Sequence, residues 1–135
     1  SANSNDASAD LNASSLAVGI TVGNISIDMA RNAQKADRND GDATADNSSD
    51  LSSTNFGLSY AVSDSLTLQA ASVAADGSEG GVDGYKYDES AYGVAYTVAS
   101  GVTLYASYSD FTQSGGTTNT PVSGSGTTVN LDISF

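Results

Sequence analysis

From Leu16 onward the chain alternates: Leu16, Val18, Ile20 and Val22 are apolar, and Ala17, Gly19 and Thr21 between them are small or polar. A period of two over this length predicts an extended strand with one apolar and one polar face. Gly23-Asn24 supplies a two-residue turn, after which Ile25, Ile27 and Met29 alternate with Ser26 and Asp28. Residues 15–31 therefore read as a β-hairpin. The same unit returns twice. Phe56, Leu58, Tyr60 and Val62 lead through Ser63-Asp64-Ser65 into Leu66, Leu68 and Ala70, a hairpin over 54–74. Tyr92, Val94, Tyr96 and Val98 lead through Ala99-Ser100-Gly101 into Val102, Leu104, Ala106 and Tyr108, a hairpin over 90–111. A final strand at 127–135 sets Val129, Leu131, Ile133 and Phe135 against Thr128, Asn130, Asp132 and Ser134.

Between these segments the alternation is lost. Residues 1–14 read as a polar tail, and 32–53, 75–89 and 112–126, rich in Gly, Asp, Ser and Thr, as long loops. Three heptads superpose closely: Leu-Ala-Val-Gly-Ile-Thr-Val from Leu16, Phe-Gly-Leu-Ser-Tyr-Ala-Val from Phe56 and Tyr-Gly-Val-Ala-Tyr-Thr-Val from Tyr92. A repeated hairpin is the building block. Short turns and long loops alternate, so the expected all-β topology is antiparallel and up-and-down, with every short turn at one end. The last strand descends from the third long loop, which places Phe135 at the short-turn end.

Composition changes what the two faces can mean. Of 135 residues, 39% are hydrophobic, and the large ones are concentrated in the alternating segments. A water-soluble domain of this size needs more large apolar side chains to offset chain entropy. The polar face carries almost no Lys, Arg or Glu, as the wet face of a soluble sheet would. It shows Asp28, Gln69, Thr103, Tyr105, Asn130 and Asp132 among many Gly, Ala, Ser and Thr. Small uncharged groups suit the inner wall of a water-filled tube, and these six are the candidate pore-lining residues. The opposite face then meets lipid. The apolar face holds about four alternating residues per strand, which span roughly 20 to 23 Å at about 3.3 Å per residue along the chain, a little less than the ~25 Å apolar band of an outer-membrane barrel. Phe56, Tyr92 and Tyr108, with Phe111, lie toward the long-loop end, Tyr60 and Tyr96 just before the short turns, and Phe135 at the opposite rim. Amphipathic rings at both edges of a lipid-facing band form an aromatic girdle.

Charge and missing residue types remove other classes. With 16 acidic against 4 basic residues the net charge is −12, which opposes binding to nucleic acid. The chain has no Cys and no His, so disulfides, thiol nucleophiles and imidazole bases are absent. No carboxylate pair stands out on adjacent strands for glycosidase chemistry, and no enzymatic activity is expected. No cofactor is expected either. Asp37, Asn39, Asp40 and Asp42 around Gly41 offer oxygen ligands to calcium, but their order departs from the EF-hand loop, and an unstructured acidic loop explains them as well. No apolar run reaches the roughly 18 residues a spanning helix needs, so a membrane role would have to be a barrel. The chain opens at Ser1 without a basic and apolar leader, so an exported protein would be a mature or truncated form.

The Tyr92-Gly93-Val94-Ala95-Tyr96 strand, the Ala99-Ser100-Gly101 turn and the Phe-terminated strand from Val129 resemble the C-terminal portion of a Gram-negative general bacterial porin. The acidic loops and Ala/Gly-rich strands are most similar to alphaproteobacterial porins. The resemblance implies a transmembrane barrel of about sixteen strands, trimeric, in the outer membrane, passing small hydrophilic solutes passively. It also implies that Val129, Leu131, Ile133 and Phe135 form the signal read by the barrel-assembly machinery. The expected partners are a lipid bilayer, that machinery, two further copies and the remaining strands of the wall. The chain departs from the family in its strand count, which is seven and starts from the long-loop side. A closed bacterial barrel has an even number, so about half the wall is expected to lie elsewhere. Lumen carboxylates Asp28 and Asp132 would bias such a pore toward cations. The alternative is a secreted or cell-surface structural protein, an adhesin or filament subunit that adds strands edge to edge.

Overall fold

A computed structural model describes residues 9–38, 48–79, 82–115 and 120–134. They form seven strands: β1 (Ala9–Val22), β2 (Ile25–Arg38), β3 (Ser49–Ser63), β4 (Leu66–Glu79), β5 (Val82–Ala99), β6 (Val102–Ser114) and β7 (Val122–Ile133). Each pairs antiparallel with its sequence neighbours, giving one sheet in the order β1 to β7 and no helix among the described residues. The sheet is open: β1 and β7 are its edges.

The tight turns use local backbone chemistry. Gly23 stands at φ +59 between β1 and β2, a conformation costly for any residue with a Cβ. Asp64 and Ser65 join β3 to β4, where the Ser65 amide donates to Ser63 Oγ at 3.3 Å. Gly101 stands at φ +75 between β5 and β6. Register shifts at Ala61/Ser63 and Thr97/Ala99 mark bulges just before the second and third of these turns. One further contact repeats in all three hairpins. The amides of Ala61, Thr97 and Ser134 donate to the carbonyls of Asn24, Ser65 and Gly101, each at 2.8 Å. Each following strand thus extends its ladder into the turn of the hairpin before it.

The strands run well past the hairpins that hydrophobic alternation marks out. β1 begins at Ala9, inside the expected tail of 1–14. β2 continues to Arg38 and β3 starts at Ser49, inside the expected loop 32–53. β4 and β5 together occupy most of 75–89, with Glu79 paired to Val82, and β6 and β7 enter 112–126 from both sides. The correction has a physical cause. Alternation reports only where one face is apolar, whereas a ladder between neighbouring backbones continues wherever side chains tolerate extension.

No side chain is buried among the described residues. The sheet is a single layer, and its large apolar side chains stand open: Leu16 is 69% exposed, Val129 65% and Leu131 58%. Paired residues share a face, so register maps the whole surface. Val18–Met29–Phe56 and Ile20–Ile27–Leu58 form rows across β1 to β3. Leu68–Val94–Ala106–Val129 and Leu66–Tyr96–Leu104–Leu131 carry the same face across β4 to β7. Seven strands at about 4.8 Å make this apolar face roughly 30 Å wide.

Candidate functional site

The opposite face is built from the other residue of every pair, and all six residues expected to line a pore lie on it. Asp28 pairs with Gly19 and Gly57, Gln69 with Ser59 and Gly93, Tyr105 with Ala95 and Asn130, and Thr103 with Thr97 and Asp132. The row through Asp28 is bare. It runs Gly19, Asp28, Gly57, Ala71, Ala91, Ser109, Gly126 across all seven strands. The Asp28 carboxylate leans over Gly19, where a Cβ would stand only 2.6 Å from Asp28 Oδ1. Gly57 on the other flank would bring its Cβ to 3.7 Å from that of Asp28. The carboxylate is therefore exposed because both neighbours lack side chains. A shallow trough of about 310 Å³ is lined by Asp28, Gly57, Ser59, Gln69, Ala71, Ala91, Gly93 and Ser107, among others.

Polar ladders cross the same face. Ser15 Oγ donates to Asn32 Oδ1 at 2.8 Å, and Asn32 Nδ2 donates to Ser53 Oγ at 3.3 Å, tying β1, β2 and β3. The hydroxyls of Thr21 and Ser26 meet at 3.0 Å. Asp28 on β2 and Asp132 on β7 are not brought together. Five strand spacings separate them, roughly 24 Å along the sheet.

Of the expected girdle, Phe56, Tyr60, Tyr92, Tyr96 and Tyr108 all occupy the apolar face, with Tyr92 and Tyr108 directly paired. Phe135, expected both in the girdle and as the terminal assembly residue, lies outside the described residues. The other residues of that signal, Val129, Leu131 and Ile133, stand exposed on the apolar face of β7. Phe111 belongs to the other face. It pairs with Glu89 and Gly124, opposite in parity to Tyr108. Of the calcium candidates, one falls among the described residues. Asp37 sits in β2 opposite Asp10, while Asn39, Asp40 and Asp42 lie outside the described residues. Among the described residues no group of three or more acidic side chains is arranged to hold a metal.

One cluster escaped the sequence pattern. Tyr85, Tyr87 and Glu89 fall in the expected loop 75–89 but sit on β5, on the polar face. Tyr87 and Phe111 stack with ring centroids 6.0 Å apart and planes inclined by 22°. The Tyr87 hydroxyl donates to Glu89 Oε2 at 2.8 Å. Phe111 lies against Gly124, where a Cβ would be 2.7 Å from Phe111 Cε1. The missed signal was parity. Once β5 is continuous from Val82, Tyr87 and Glu89 take the odd, polar positions with Gly93, and Tyr92 takes an even one.

The residues thus define a class: a single-layer antiparallel sheet with one continuous apolar face and one small-residue polar face bearing isolated carboxylates. No protein-family model, curated protein sequence or solved structure matches the chain.

Proposed function

We propose that this sheet is a wall segment of an outer-membrane diffusion porin, with its apolar face against lipid and its polar face lining a water-filled channel. One observation carries the reading: a contiguous apolar face seven strands wide on which none of the described residues packs. Soluble monomers rarely expose apolar patches beyond a few hundred Å². A face roughly 30 Å by 20 Å needs a cover, and lipid supplies one without a second protein layer. The row through Gly19, Gly57, Ala71, Ala91 and Gly126 supports the other half, because it keeps the polar side clear for solvent.

The open edges support a wall larger than this sheet, about sixteen strands if it follows the porins. β1 and β7 run in the same direction, since six antiparallel pairings separate them, so further strands must join both before the wall closes. Solutes would pass by diffusion, selected by size and charge. Asp28, Glu89 and Asp132 on the polar face favour cations, because carboxylates along a water-filled path raise the local cation concentration. Reversal potentials of the whole protein in planar bilayers under a salt gradient test this. Cation preference is expected, and D28N should reduce it measurably. Anion preference in the unmodified protein would overturn the assignment of the polar face.

The same edges favour a second reading, an extracellular protein that assembles strand to strand. Copies joined β7 to β1 would have to pair in parallel, which is slightly less stable per residue than the antiparallel pairing used within the sheet. Detergent separates the readings, since a strand-assembled fibre needs none.

A further inference from the structure

We infer that the Tyr87–Phe111 platform with Glu89 is a binding station for small organic cations on the polar face, an inference that rests on the channel reading and names a solute class for it. Three features converge there. Two aromatic rings lie stacked at 6.0 Å, presenting π faces that carry partial negative charge. Glu89 pairs directly with Phe111 across β5 and β6 and accepts from the Tyr87 hydroxyl, so a carboxylate is fixed at the edge of the platform. Both rings and Glu89 keep part of their surface open to solvent.

The support beneath the platform is glycine. Gly124 lets Phe111 settle against the β7 backbone, which no other residue there would allow without displacing the ring. Charge selects the ligand. Among residues whose side chains are described, Arg31, Lys35 and Lys86 all share the parity of the apolar face, leaving Asp28, Glu89 and Asp132 as the charges of the polar one. An ammonium or guanidinium group over the rings gains both the quadrupole and the carboxylate. An anion meets repulsion from both. A neutral sugar would use the rings alone and gain nothing from the charge.

The chain's three phenylalanines make the test direct. With 4-fluorophenylalanine incorporated throughout and the protein folded in detergent micelles, each of Phe56, Phe111 and Phe135 gives its own fluorine resonance. Tetramethylammonium chloride should shift the Phe111 resonance saturably and leave that of Phe56 in place. E89Q should weaken the apparent affinity about threefold to fivefold, the scale of a partly exposed ion pair, and Y87L should weaken it further. An unchanged Phe56 resonance in each variant checks that the sheet is intact. The inference is overturned if Phe111 does not respond, if E89Q binds as tightly as the parent, or if maltose shifts Phe111 as strongly as the cation. Binding in micelles is read without transport, so failure of the channel reading would show separately in the bilayer recordings.

Discussion

Glycine decides more here than any charged residue, and it does so in two different ways. At Gly101 the backbone stands at φ +75, and the Ser134 carbonyl oxygen occupies the place a Cβ would take. Replacing Gly101 with Val should therefore cost about 1–2 kcal/mol through strain alone, and more through loss of the Ser134 amide bond to the Gly101 carbonyl. Gly126, with nothing within 4 Å of its ideal Cβ, is the control. Urea unfolding of the protein in lipid vesicles should show a lowered midpoint for G101V and little change for G126A. Gly19 works otherwise: it leaves space for the Asp28 carboxylate. The turn glycines were legible in the sequence, because Gly-Asn and Ser-Gly between alternating runs are turn signals. The contact of Gly19 with Asp28 was not, because it depends on which residue of β2 stands opposite.

Among the elements, the strands show how far a hydrophobic pattern reaches. Alternation located all seven and gave the right face to Asp28, Gln69, Thr103, Tyr105, Asn130 and Asp132, since parity within a strand is a local property. It underestimated length, because Asn12, Lys35, Asp50, Asp76, Lys86 and Asp110 put charge or amide at positions that continue the apolar face and so erase the contrast between the two faces. Those outer halves hold by pairing, with Lys35 opposite Asp50 and Asp76 opposite Lys86. Face assignment gives a sharp test in neighbouring pairs of β6. On the proposed lipid-facing assignment, Leu104→Arg places a charge in the middle of the apolar face and should destabilise the folded protein in vesicles by about 2–4 kcal/mol. Ser107→Arg places it on the polar face and should leave stability nearly unchanged. Equal losses in a vesicle unfolding assay would count against a lipid-facing band.

At the scale of the whole molecule the governing fact is that the described residues form a single layer. An amphipathic sheet in water must cover its apolar side, and here Val18, Ile20, Leu104 and Leu131 stand open with no buried residue among those described. The protein should therefore stay monodisperse in detergent and precipitate or associate when detergent is removed, as sedimentation would record. A monomer stable in plain buffer would mean that the apolar face has another cover.

The sequence by itself determined the all-β class, the seven strands, their up-and-down order and the two-sidedness of each, because these follow from a period of two and from turn residues that act over a few positions. Only the tertiary structure decided the rest. It extended the strands beyond their apolar stretches, set Phe111 over Gly124 and beside Tyr87, cleared the row around Asp28, and left both edges and one face open among the described residues. Those outcomes depend on register between strands far apart in the chain, and a residue's own neighbours carry no record of which strand will lie beside it.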